Sequence, residues 1–95
     1  MLTVIAKMTA EKSKVEETKA LLESLIAPTL KEEGCIQYDL HQGIAEQNVF
    51  FFYENWESRE HLEKHLMNSH LVDFKHKAEN LLQRPMEVFL LNKLD

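Results

Sequence analysis

The chain has 95 residues and a formal charge of −5, from 16 acidic side chains against 11 Lys and Arg. That length suits a single domain, residues 1–95, burying roughly two-thirds of its unfolded surface. There is no basic footprint of the kind phosphate backbones require, which argues against nucleic acid. No apolar run approaches the roughly 20 residues of a membrane span. Met1 to Ala10 carries neither a charged n-region nor a long apolar h-region, so no signal peptide is evident. Cys35 is the single cysteine, which precludes an intrachain disulfide and suits a reducing, cytoplasmic setting.

Leu2 to Met8 sets Leu2, Val4, Ala6 and Met8 against Thr3, Ile5 and Lys7, the period of a strand. The period then changes. Ser13 and Glu16 stand at capping-box spacing, and Val15, Leu22, Leu25, Ile26 and Leu30 form a helical stripe. Pro28 crowds the carbonyl of Ser24 and is expected to kink the last turns. Gly34 suits the left-handed position past a helix end. Cys35 to Gln42 reads as a second strand, with Ile36, Tyr38 and Leu40 on one face and Gln37, Asp39 and His41 on the other. A short connection of hairpin length, Gly43 to Gln47, leads to a third strand, Asn48 to Trp56. Ser58 is a good N-cap for a helix with Leu62 and Leu66 inward and Glu60 in the first turn. Asn68-Ser69 interrupts that helix. Leu71, Phe74, Ala78, Leu81 and Leu82 continue the stripe until Arg84-Pro85, and Met86 to Leu94 reads as a last strand.

The order is β-α-β-β-α-β with the second helix broken, a ferredoxin-like α+β sandwich of helices on one face of an antiparallel sheet. Two strands are apolar on both faces. Val49-Phe50-Phe51-Phe52-Tyr53 and Val88-Phe89-Leu90-Leu91 send large side chains up and down, because neighbours along a strand point to opposite sides. Leaving one side wet would forfeit several kcal/mol at about 25 cal/mol per Å², comparable to the stability of a small domain. A homodimer packed through the sheet faces is the expected remedy.

For chemistry, His61 and His65 are four apart and share a helix face, a spacing that can hold zinc. Leu62 stands where a metalloprotease glutamate would follow the first histidine, and only His70, Glu60 or Glu63 are near enough in sequence to serve as a third ligand. No metal is expected, and His61 reads as a solvated surface residue. His65 and His70 flank the helix break. They either converge on a cavity, where a neutral imidazole acts as general base, or cap the broken helix. His76 and His41 read as exposed. Cys35 reads as a packing residue rather than a reactive thiol. Phe50, Phe52, Glu54 and Trp56 share parity and face one side, as the floor of an aromatic pocket or as ordinary core. No phosphate-cradling glycine loop and no Ser/His/Asp or Cys/His signature is present.

The set Glu33-Gly34-Cys35-x-x-Tyr38, followed by Phe52-x-Glu54-x-Trp56-x-Ser58-x-x-x-Leu62-x-x-His65-x-x-x-x-His70, resembles the antibiotic biosynthesis monooxygenase (ABM) domain family over the middle third of the chain. The element order matches end to end. The resemblance implies a dimeric α+β barrel in which each chain holds a pocket between sheet and helices. Trp56 matches the pocket tryptophan of the polyketide-oxidising branch, with Phe52 and Leu62 in place of that branch's Asn and Tyr. In the haem-degrading branch's pattern the first strand here lacks the Asn, His65 takes the place of the Trp, and His76 lies near the ligand position. The likeness is closest to the small quinol-monooxygenase-like group, in which His65 and His70 have counterparts. It implies a cofactor-independent oxidation of a small aromatic molecule by dioxygen. His65, His70 and Trp56 are the expected catalytic residues, and Phe50, Phe52, Glu54 and Tyr38 the expected substrate contacts. The alternatives are an isomerase-type or non-catalytic binding protein of the same fold, or a haem-binding relative.

Overall fold

A computed structural model describes residues 1–95. Four strands form one antiparallel sheet: β1 (Leu2–Thr9), β2 (Cys35–Gln42), β3 (Val49–Trp56) and β4 (Glu87–Leu91), in the order β2-β3-β1-β4. Between them run α1 (Val15–Glu23), α2 (Ile26–Leu30), α3 (Arg59–Met67) and α4 (Ser69–Ala78). The arrangement is the ferredoxin-like α+β sandwich read from the sequence, with helices on one sheet face. No helix is long and apolar enough to cross a membrane.

The core sits between that face and the helices. Val4, Ala6 and Met8 from β1, Phe50, Phe52 and Trp56 from β3, and Tyr38 from β2 are buried there, against Leu22, Leu25, Leu62, Leu71 and Phe74 from the helices. The register fixes this. Ala6 lies opposite Phe52 and Met8 opposite Phe50, so all four side chains project to the helix-covered face. Each fully buried Phe contributes roughly 2–3 kcal/mol.

Local expectations met different fates. Pro28 acts as argued: the first helical region parts at Ser24–Leu25, where the ring of Pro28 would crowd the Ser24 carbonyl, and resumes as α2. The capping box at Ser13 does not form. Lys12–Lys14 is a 3-10 turn, and no side chain caps it or α1. Leu30 is exposed, and Thr29 is buried in its place with its hydroxyl 3.3 Å from Nε2 of His70. Ile36 is exposed as well, because a register irregularity between Cys35 and Gln37 breaks the alternation of β2. The last helix stops at Ala78 rather than Arg84. Leu81 and Leu82 instead lie in a loop segment bonded to the end of β1, through Glu11 N–H to the Leu81 carbonyl at 2.8 Å and Gln83 N–H to the Thr9 carbonyl at 2.8 Å. β4 is an edge strand left open on both faces: Phe89 is 47% and Leu90 41% exposed.

Candidate active site

Two backbone devices assemble the site. The first is Gly34, with φ of +85°. Its turn carries the chain from α2 into β2 directly beneath α3, and a Cβ there would collide with the His61 ring. Only glycine allows both the positive φ and that approach. Because β2 and β3 run antiparallel, the start of β2 lies beside the end of β3, and Glu57 N–H bonds the Gly34 carbonyl at 2.9 Å. Glu32 is thereby delivered to α3.

The second device is the helix break. Ser58 caps α3, its hydroxyl accepting from the His61 backbone N–H at 3.3 Å, and Leu62 and His65 turn inward from adjacent turns. On an unbroken helix a residue five places on would point about 140° away. Asn68 is extended instead, with φ −66° and ψ 147°, and α4 restarts so that His70 faces the same carboxylate as His65.

The outcome is a three-residue cluster. Nδ1 of His65 lies 2.7 Å and Nε2 of His70 lies 2.9 Å from the same oxygen, Oε2 of Glu32. The buried Thr29 hydroxyl is 3.3 Å from the His70 nitrogen. A carboxylate only accepts, so both imidazoles donate to it. That places the His65 proton on Nδ1 and leaves the lone pair on Nε2. No protein group bonds Nε2, no buried polar atom is orphaned, and the His65 ring lines a cavity. An imidazole held by a carboxylate at one nitrogen with the other free is the arrangement of a general base. Burial holds His65 below the ordinary imidazole value, while the Glu32 hydrogen bond and charge pull the other way. Neutral His65 is the form that accepts a proton.

The cavity is lined by Tyr38, Phe52, Glu54, Leu62, His65, Leu66, Leu71, Phe74, Met86 and Val88, with Val4, Ala6, Met8 and Leu25. Its free volume is about 10 Å³, room for about one water. Tyr38 stacks on Phe52 with ring centroids 4.2 Å apart, and the Trp56 and His65 rings lie 4.6 Å apart. Glu54 is 3% exposed, and its Oε1 accepts the Trp56 indole N–H at 2.9 Å. Burial foremost, and then the Glu32 charge, push the Glu54 carboxyl up to about 7, against the Trp56 bond. Burial keeps the Tyr38 phenol protonated.

The structure brings Tyr38, Phe52, Glu54 and His65 together around this chamber; Trp56 stands behind Glu54 and His65, which it touches, and is not on the chamber wall. His70 stands behind His65 at the carboxylate rather than on the chamber wall. Phe50 faces an open groove with Ile26, Leu30 and Leu40. Glu60 and Glu63, the acids nearest in sequence, are exposed, and the carboxylate at His65 and His70 is Glu32. His61 is half-buried against Gly34, with its ring 2.8 Å from the Ser58 hydroxyl, not solvated as its sequence neighbours suggested. His41 and His76 are exposed. Burial pushes the Cys35 thiol up to about 11, so it is inert at neutral pH.

A second opening borders the chamber. Leu66, Phe74, Met86 and Val88 form one wall of the closed cavity and also one wall of an open groove of about 640 Å³ between the helices and the 82–88 segment.

Fold and site together define a ferredoxin-like α+β protein with an apolar, histidine-bearing chamber between sheet and helices. The chain belongs to the antibiotic biosynthesis monooxygenase family, whose model matches residues 1–77. It is 33% identical over 92 residues to the "Putative monooxygenase Rv0793" of Mycobacterium tuberculosis, covering 97% of this chain and 90% of that one. To the "Putative monooxygenase YcnE" of Bacillus subtilis it is 31% identical over 88 residues, 93% of each chain. It is also similar to the uncharacterized protein sll1783 of Synechocystis, 32% identical over 87 residues, but spans only 59% of that longer protein. Among solved structures, PA3566 from Pseudomonas aeruginosa superposes with a TM-score of 0.92 at 36% identity, covering 99% of this chain and 94% of that one. A general monooxygenase-like function follows from this membership.

Proposed function

We propose that the protein is a cofactor-independent monooxygenase of a small quinol or related electron-rich aromatic. The observation that carries this reading is His65, held at Nδ1 by Glu32 with its ring on the wall of an apolar chamber; from it we infer a base that works through Nε2. The closed chamber holds no ring, so Leu66 and Met86, which it shares with the outer groove, must swing aside to admit a quinol; seated against Phe52 and Tyr38, the quinol loses a phenolic proton to His65. The resulting quinolate is electron-rich enough to reduce dioxygen itself. For a hydroquinone the balance is one quinol plus one dioxygen giving a hydroxyquinone and water: one oxygen atom joins the ring, the other leaves as water, and the substrate supplies all four electrons. Trp56 holds Glu54 in place, and Glu54, sharing the chamber, can return a proton to the departing oxygen. His70 acts through Glu32 as a positioning residue. Oxygen uptake above autoxidation with a panel of hydroquinones is the test. The rate is expected to fall in Glu32→Gln and His65→Ala, and the absence of any enzyme-dependent uptake would remove the quinol reading.

A second reading, proton transfer or isomerisation on a small carbonyl compound, draws on one specific observation. His65 and Glu54 are two proton-exchanging groups facing one chamber. Turnover without oxygen consumption would identify it.

The reading includes a homodimer. On the face without helices, Tyr53 of β3, Ile5 of β1 and Phe89 of β4 form a continuous row in register. Phe51 and Leu91 flank it, the latter 44% exposed. Beside this apolar band runs a hydrogen-bonded chain, Thr3 to Asn55 at 2.7 Å, Asn55 to Gln37 at 2.7 Å and Gln37 to Asp39 at 2.7 Å. A second copy with the same band supports burial of both. Light scattering at micromolar concentration reads the result directly.

A further inference from the structure

We propose that Glu32, His65 and His70 also form a site for a divalent first-row transition ion such as Zn²⁺, and that its occupancy disables the base at the chamber wall. The inference rests in part on the role given to His65 above.

The three ligand atoms come from three separate segments, the α2–β2 turn, α3 and α4, and all lie within 4.8 Å of one another. Two imidazole nitrogens and a carboxylate oxygen are a donor set for zinc and its neighbours. The present contacts of 2.7 and 2.9 Å are hydrogen-bond lengths. Ligands on one tetrahedral ion at about 2.0–2.1 Å stand about 3.3 Å apart, so the ion replaces the shared protons and widens each histidine–carboxylate contact by about half an ångström. The side chains of Glu32 and His70 are 11% and 21% exposed, which gives an entry path and room for water as fourth ligand. The His65 side chain is 2% exposed and anchors the site from inside.

The ion would sit behind the imidazole, on the side away from the chamber, so substrate cannot reach it. Its effect passes through the ring. Metal on Nδ1 requires the proton on Nε2, and the lone pair that faced the chamber becomes an N–H. Glu32, drawn to the ion, no longer holds the base-competent tautomer. Metal binding and proton abstraction by His65 therefore exclude each other.

The experiment is a titration of chelator-treated protein with Co²⁺, followed by its visible d–d absorption. Zn²⁺ is then added to ¹⁵N-labelled protein, and the imidazole ¹⁵N–¹H correlations show which nitrogen carries the proton. One Co²⁺ per chain is expected, with affinity lowered more than about tenfold in the shape-preserving Glu32→Gln and in His70→Ala. In the wild type the His65 proton moves from Nδ1 to Nε2 as Zn²⁺ saturates. Failure to bind Co²⁺, or equal binding by both variants, overturns the site. An unchanged His65 tautomer in the saturated protein overturns the switch. Neither readout depends on turnover, so failure of the quinol assay is a separate result. Where quinol oxidation is observed, Zn²⁺ suppresses it over the same concentration range as the tautomer change.

Discussion

Glu54→Gln isolates the buried carboxyl beneath the chamber. Glutamine keeps the shape and an oxygen for the Trp56 N–H, but cannot ionise. In the folded protein the Glu54 carboxyl is pushed up from 4.5 to about 7, so the unfolded chain releases this proton first as pH rises. A raised carboxyl contributes against the fold: stability is greatest below the unfolded value, falls through the interval, and levels off above the folded value. Between 4.5 and about 7 this amounts to about 2 kcal/mol lost from pH 5 to pH 7. His65, held below the ordinary imidazole value, has the opposite sign and adds stability as pH rises through the ordinary imidazole range. It is present in both proteins and cancels to first order in their difference. The assay is urea unfolding of wild type and variant at pH 5, 6, 7 and 8, at one protein concentration so that any association is constant. The variant should gain about 2 kcal/mol relative to wild type from pH 5 to pH 7, about 1–2 M in midpoint. A difference that stays flat over that range would refute the burial argument for Glu54, whatever its constant offset.

Other consequences concern the turn, the base and the sheet. Gly34→Ala forces a left-handed alanine into the His61 ring, and a loss of about 1–3 kcal/mol is expected in denaturant unfolding; an unchanged midpoint would mean that the turn relaxes freely. His65→Ala should slow quinol oxidation roughly a hundred- to ten-thousandfold, and Glu32→Gln about ten- to a hundredfold with the pH profile displaced; rates equal to wild type in oxygen-electrode assays would exclude the pair from proton transfer. Phe89→Lys, at a position already half-open in the single chain, should leave circular dichroism unchanged and yield a monomer by light scattering; an intact dimer would move the interface elsewhere.

The architecture was legible because local signals agreed with one another. The two-sided aromatic run of β3, the Ser58 cap, Gly34 and the break at Asn68-Ser69 each reflect short-range sterics or periodicity. The break near Pro28 followed from one ring meeting one carbonyl. Glu32 was not legible in the same way, since its partners lie 33 and 38 residues further on and no helical spacing links them. The signal available was topological: antiparallel β2 and β3 put the residues before Cys35 next to those after Trp56. Nor could the pattern show that the chamber is nearly closed, or that β4 lies open on both sides. Those depend on how side chains of α3, α4 and the 82–88 segment meet, which packing alone decides.

A crystal structure with a non-oxidisable quinol analogue bound would place the ligand relative to His65. Its phenolic oxygen is expected within hydrogen-bond distance of Nε2, its ring against Phe52, and Leu66 and Met86 swung aside from their present positions. An analogue found only in the outer grooves, with the space around His65 still sealed, would contradict a base acting inside the chamber.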